Sequence, residues 1–306
     1  MNKFNNLIVG SGISALVVYK NSSKKPQIFT SDKDQILRSK NFYEYDFFGG
    51  NSNIWGGYIN LKRHNKFLKS GKYKKLFNKK IFLVRKIFHE HSKFSNTQCL
   101  FNSKNEIFRV DNSFFDKKLI KKKINRIILN KKNIEIVTES NSVFTNQLSL
   151  CIGNLSLIKL LYDSGWVDRN DIISFDDGKC SYVLNFLINQ KSNYYIPMPL
   201  VEIIEKLLFK KSKTYKVINN SFILQKFSNS VNKHEINCEE LLKMNSSKIR
   251  YYLSNHIANL RINNIPIEKF IKNKSNRVIV NCSGTLPKYI PGSISQDLIY
   301  NSFIKS

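Results

Sequence analysis

Apolar and polar positions change period several times along this chain, and each change marks an element. Leu7, Ile8 and Val9 form an unbroken apolar run closed by Gly10, the pattern of a strand buried on both faces. Gly10-Ser11-Gly12-Ile13-Ser14-Ala15 follows, and Leu16 to Tyr19 predict a short helix. After a polar turn over 21–26, Gln27 to Thr30 predict a second strand running toward Asp32. This opening is a βαβ unit, which points to an α/β fold of the Rossmann-like kind.

Residues 61–93 are dense in Lys, Phe and Leu with helical spacing, predicting one or two surface helices. Short strands are expected at 124–129, 133–138 and 148–152, and the Lys131-Lys132-Asn133 turn suits a hairpin between the first two. A helix over 156–162 should stop at Gly165. The stretch 166–250 predicts aromatic strands and a helix over 199–210. A last strand, 277–281, leads into Cys282-Ser283-Gly284-Thr285-Leu286-Pro287 and a closing helix from about residue 295. There is no internal repeat.

Composition narrows the class. Of 306 residues, 42% are apolar and 12% aromatic, which excludes a disordered chain. Five scattered cysteines without a C-x-x-C pair indicate neither a zinc ribbon nor a disulfide framework, and no metal is expected. No secretory or membrane-spanning apolar window occurs, so a cytoplasmic protein is expected. Lys and Arg number 50 against 22 Asp and Glu, a net charge of +28. That excess raises polyanions as partners.

The first glycine loop has positional logic. Dinucleotide binding needs a tight turn, a close backbone approach and a small residue for helix–strand packing, with helix amides facing the pyrophosphate. Gly10, Gly12 and Ala15 fill these places, and Asp32, 22 residues after Gly10, suits the ribose hydroxyls. A second loop, Phe48-Gly49-Gly50-Asn51-Ser52-Asn53-Ile54-Trp55-Gly56-Gly57, lets backbone approach a flat ligand while Ser52 and Asn53 donate to its oxygens.

With this second loop the chain resembles the glucose-methanol-choline (GMC) family of FAD-dependent oxidoreductases, in shortened and divergent form. Three further stretches agree in family order: 148–165 (LSLCIGNLSLIKLLYDSG), 255–262 (NHIANLRI) and 278–303. The resemblance implies a three-layer FAD/NAD(P)-binding domain built from 1–60, 106–165 and 271–306, with 61–105 and 166–270 as a reduced cap and substrate domain over the flavin. By the same similarity, Gly10, Gly12, Ile13, Ala15 and Asp32 would hold the ADP half of FAD. Gly49, Gly50, Ser52, Asn53 and Trp55 would follow the pyrophosphate and ribityl chain, with Gly153, Gly284 and Pro287 completing the set. Ile54 stands where some relatives carry the His that attaches FAD covalently, so the resemblance implies noncovalent FAD.

The implied reaction is oxidation of an alcohol or sugar hydroxyl, with His256 as the base and an unidentified electron acceptor. The family's second His or Asn, about forty residues downstream, is replaced by Ser293 or Ile294. A scaffold that binds flavin without catalysis is therefore an open alternative. His64, His89, His91 and His234 lie in Lys-rich or polar surroundings and are expected to be solvated. Basic runs at 62–93 and 117–132 carry interleaved aromatic and apolar residues, the composition of a nucleic-acid surface, but no nucleic-acid motif accompanies them. Peripheral contact with anionic lipid is a further expectation from the Lys-rich stretches, at about 1 kcal/mol per basic residue near the surface.

Overall fold

Side chains of adjacent strand residues point to opposite faces, and in the first strand both faces are apolar: Leu7 and Val9 enter one core and Ile8 the other. A computed structural model describes residues 3–30, 35–39, 42–46, 48–50, 58–60, 82–86, 97–101, 110, 112–115, 119–178, 182–186, 215–218, 221–226, 231–247, 257–288 and 294–306.

In chain order, the first half comprises β1 (Lys3–Val9), α1 (Ile13–Asn21), β2 (Gln27–Thr30), β3 (Gln35–Ser39), β4 (Phe42–Asp46), β5 (Tyr58–Asn60), β6 (Phe82–Lys86), β7 (Thr97–Phe101), β8 (Ile120–Lys121), β9 (Ile124–Leu129), β10 (Ile134–Thr138), β11 (Ser142–Leu150) and α2 (Asn154–Asp163). The second comprises β12 (Ile172–Gly178), β13 (Tyr182–Phe186), β14 (Tyr215–Ile218), β15 (Ser221–Lys226), β16 (Val231–Asn237), α3 (Cys238–Leu242), β17 (Met244–Ser247), β18 (Ile257–Ile262), β19 (Ile265–Pro266), α4 (Ile267–Lys274), β20 (Val278–Val280) and α5 (Ile294–Lys305).

The main sheet runs β8-β2-β1-β11, all parallel, and the far edge of β11 is shared. The start of β11 pairs antiparallel with β10 of the β9–β10 hairpin, and its end pairs parallel with β20. Strand β11 begins six residues before the expected apolar stretch because its first half alternates, with Val143 and Thr145 buried between more accessible residues. Helix α1 is buried from Ile13 through Tyr19, apolar except for Ser14, between the sheet and α5. The opposite face of the sheet packs on Leu155, Leu157, Ile158, Leu160 and Leu161 of α2 and on Ile173, Phe175 and Ile236 of a second, antiparallel sheet, β16-β12-β18-β19. The result is a three-layer α/β, Rossmann-like fold.

Helix α2 ends as its sequence requires: Gly165 follows with φ +69°, a left-handed conformation that glycine adopts without strain. The helical expectation over 61–93 is corrected at Phe82–Lys86, which forms β6 against β7. Phe82 and Val84, both strand-favouring, and the pairing with β7 prevail there over the helical spacing of their flanks. The remainder of 61–93 and the helix expected at 199–210 lie outside the described residues. Strand β17 crosses from the region expected as cap to pair with β3. No helix among the described residues is long and apolar enough to cross a membrane.

Candidate cofactor site

Parallel neighbours β1 and β11 end level, with Val9 opposite Leu150, and each turns directly into a helix. The two turns stand side by side at the carboxyl edge of the sheet, where open α/β sheets bind ligands.

In the first turn, Gly10 has φ +107°, and a Cβ there would run into the Cys151 carbonyl of the neighbouring turn. Its amide donates to Phe29 O at 2.7 Å, and Cys151 N donates to Val9 O at 2.8 Å, closing the strand ends together. Gly12 is the N-cap of α1 in extended conformation, and no side chain caps the helix. Buried Ser11 draws three segments together: its Oγ lies 2.7 Å from Thr30 Oγ1 and accepts the Gly49 amide at 3.0 Å. Gly49 and Gly50 both have positive φ, +82° and +50°, which explains the glycine pair. A Cβ on Gly12 would lie 3.5 Å from Gly49 O, so the two loops are in contact. Ile13 and Ala15 are buried, and Ala15 keeps α1 close to the sheet. The structure thus brings together Gly10, Gly12, Ile13, Ala15, Gly49 and Gly50.

The second turn is filled from within. Gly153 is the N-cap of α2, and the space a Cβ would take holds the carboxylate of Glu44. Leu155 N donates to Glu44 Oε2 at 2.8 Å, Ser156 N donates to Oε1 at 3.0 Å, and the Ser156 hydroxyl also donates to Oε1. Glu44 is 5% exposed. Burial pushes its carboxyl above the ordinary value, partly offset by these donors, and Asp46 adds to the rise.

Asn154 links this turn to the next strand. Its Nδ2 donates to Ser283 Oγ at 2.9 Å and its Oδ1 accepts the Gly284 amide at 3.0 Å. A Cβ on Gly284 would collide with Asn154 and Leu260, so Gly153 and Gly284 are both places of close approach. Pro287 lies just beyond Leu286, whose carbonyl accepts the Asn259 amide at 2.7 Å and so fastens β18 to this turn. Asn259, with φ +52°, also donates to Asp176 and accepts from Arg261. Cys151 and Cys282 are free buried thiols. Burial pushes both up, Cys282 to about 12, which leaves them as packing residues rather than nucleophiles.

Asp32, Ser52, Asn53, Trp55, His256 and Ser293 lie outside the described residues. The residue after His256, Ile257, opens β18 opposite Asp177. His234 corrects the solvated expectation: it stacks on Phe175 with centroids 5.2 Å apart, and its Nε2 is 3.7 Å from Asp177 Oδ2. The cross-strand pair Phe175–His234 places the imidazole at the margin of the core. Sequence reasoning passed over Ser11, Glu44 and Asn154. Ser11 was signalled by its place between two glycines, whereas Glu44 was not, since its partners are 111 and 112 residues away. Among the described residues, no group of three His, Cys, Asp or Glu is arranged to hold a metal.

No protein-family model matches the chain, and no curated protein sequence matches it. Similar solved structures are distant. The rebeccamycin biosynthetic enzyme RebC with reduced flavin is 8% identical, with a TM-score of 0.45, over 98% of this chain and 60% of that one. NikD, an unusual amino acid oxidase of nikkomycin biosynthesis, is 6% identical, with a TM-score of 0.40, over 99% and 93%. A ferredoxin-flavin thioredoxin reductase from Clostridium acetobutylicum is 14% identical, with a TM-score of 0.21, over 49% and 38%. The chain spans less than two thirds of the RebC and reductase chains. What the chain itself displays, in strand order and helix placement, is a three-layer α/β, Rossmann-like fold.

Proposed function

We propose that this protein is an FAD-dependent oxidoreductase that binds its flavin noncovalently at the first turn. The observation that carries this reading is the N-terminus of α1: no side chain caps it, Gly10 and Gly12 line it, and Gly49 is held against it by Ser11. First-turn amides and the aligned peptide dipoles of a helix favour an anion at such a place, and a diphosphate is the anion a glycine turn of this kind admits. The residues present fit the group. Gly10, Gly12, Ile13 and Ala15 would receive the pyrophosphate side, with Asp32 toward the ribose. Gly49, Gly50, Ser52, Asn53 and Trp55 would lie along the chain to the ring, and Gly153, Gly284 and Pro287 along the neighbouring edge.

Bound flavin supplies a hydride acceptor. The finer reading is oxidation of an alcohol or sugar hydroxyl with His256 taking the hydroxyl proton, an assignment that follows the GMC resemblance. It is supported by the tie between Asn259 and Leu286, which fastens the strand after His256 to the turn at the carboxyl end of β20. A second reading, flavin binding without turnover, rests on Ser293 or Ile294 standing in place of the family's second His or Asn.

Purified protein should be yellow and release FAD on denaturation; a protein that retains no flavin after reconstitution overturns the cofactor reading. Anaerobic addition of alcohols and sugars should bleach the flavin. The substitution His256→Ala should slow that bleaching at least about 100-fold with FAD content unchanged. Unchanged bleaching removes His256 as the base, and no bleaching by any alcohol favours the scaffold.

A further inference from the structure

Strand β4 carries Glu44 and ends two residues before Phe48, so the chain passes directly from the Glu44 side chain into the loop that bears Gly49 and Gly50. Beside the packing of Phe48 on Phe115 and the pairing of β4 with β3, two polar anchors bear on that loop. One is the bond from the Gly49 amide to Ser11 Oγ; the other, five residues earlier, is the Glu44 carboxylate at the start of α2. The second anchor accepts two backbone amides and one hydroxyl, in a place that the missing side chain of Gly153 leaves open.

We propose that Glu44 is a positioning residue for the flavin loop. By filling the N-terminus of α2 in place of an external anion, its carboxylate clamps β4 and thereby sets Gly49 and Gly50 against the Gly10–Gly12 turn. The consequence for cofactor binding rests on the flavin reading above, while the clamp itself does not. An internal carboxylate held by donors fixed on another element needs no ligand to form the clamp, so the loop is placed before any cofactor arrives. Pre-organisation of this kind improves affinity by removing the ordering cost from the binding step.

The test uses the whole chain with the substitutions Glu44→Ala, Glu44→Gln and Glu44→Asp. The clamp predicts that Glu44→Ala raises hydrogen exchange at the Gly49 amide at least tenfold more than at Ile136 in the distant hairpin. Glu44→Gln, which keeps the length but turns an NH2 donor toward one of the two helix amides, should raise Gly49 exchange less than Glu44→Ala does. Formate at 100 mM can refill the start of α2 but carries no tether to β4, so Gly49 exchange in the alanine variant should stay raised in its presence. If the alanine variant does not fold, Glu44→Asp carries the test, because a shortened carboxylate withdraws from Leu155 and Ser156 and should raise Gly49 exchange selectively. Unchanged exchange at Gly49, a rise no greater than that at Ile136, or full restoration of Gly49 protection by formate each overturns the clamp. FAD affinity should fall at least tenfold in Glu44→Ala and stay low in formate. Unchanged affinity removes the role in cofactor positioning. Failure of the parent protein to bind FAD overturns the flavin reading instead, and Gly49 exchange still decides the clamp.

Discussion

Two strand–turn–helix units stand next to each other in this sheet and differ in one respect. Strand β1 turns through Gly10-Ser11-Gly12 into α1, and β11 turns through Cys151-Ile152-Gly153 into α2. Both helices have an extended glycine as N-cap with no capping side chain of its own. At α2 the protein's own Glu44 fills the space in front of the amides, and at α1 the approach is lined by glycine backbone. A helix N-terminus attracts negative charge whatever its source. Which of two equivalent termini can take a ligand's phosphate is therefore decided by whether a carboxylate on a remote strand has already taken the place. Fold alone offers two such places, and among the described residues a side chain fills one of them.

The largest effect is expected where the two turns touch. Gly10→Ala places a methyl against the Cys151 carbonyl at φ +107° and should destabilise the chain by more than about 3 kcal/mol, read from urea unfolding or loss of soluble protein. A smaller change should be enough to empty the filled turn. Gly153→Ala displaces the Glu44 carboxylate, and Glu44→Ala removes it; each should cost about 2 kcal/mol by leaving helix amides without a partner. Because they break the same contact, the double variant should lose at least about 1 kcal/mol less than the two changes would if independent. Additive losses would mean that Glu44 does not serve α2.

The smallest effect is one of pH. Glu44's carboxyl is raised in the folded state, so folding favours its protonated form. Its stabilising contribution is full below the ordinary glutamate value of 4.5 and is lost as pH rises through the raised value. The stability of the parent relative to Glu44→Gln should therefore be greater at pH 5 than at pH 8, measured by thermal unfolding of both. A difference that shrinks toward acid would contradict the burial account.

The open turn was legible in the sequence because all its parts are local. Gly10, Gly12 and Ala15 sit at fixed spacing between an apolar run and a helix, and the strand at 27–30 follows at once. The β9–β10 hairpin and the stop at Gly165 were legible for the same reason. The filled turn was not. Gly153 was singled out by family resemblance as a cofactor residue, but nothing near it in sequence tells that Glu44, between two tyrosines on a distant strand, lies in the space its missing side chain leaves. Asn154 was hidden in the same way, since Ser283 and Gly284 are 129 and 130 residues away. The strand at Phe82–Lys86 was missed because its partner β7 supplies the pairing that five residues cannot declare alone. Local chemistry gives the turn, and long-range pairing gives its occupant.

On the proposed reading, α1 takes an external diphosphate where α2 is closed by Glu44. Gly12→Asp tests it most directly by giving α1 a carboxylate of its own. Gly12 already has the extended conformation of an N-cap, and Asp is among the residues that cap best, so the helix should form with unchanged or higher stability. FAD titration of the parent and the variant, followed by quenching of flavin fluorescence, should show stoichiometric binding to the parent and a loss of at least about 100-fold in the variant at unchanged thermal stability, in line with repulsion between the new carboxylate and the diphosphate. Equal binding by the two proteins, or no binding by the parent, would contradict the account.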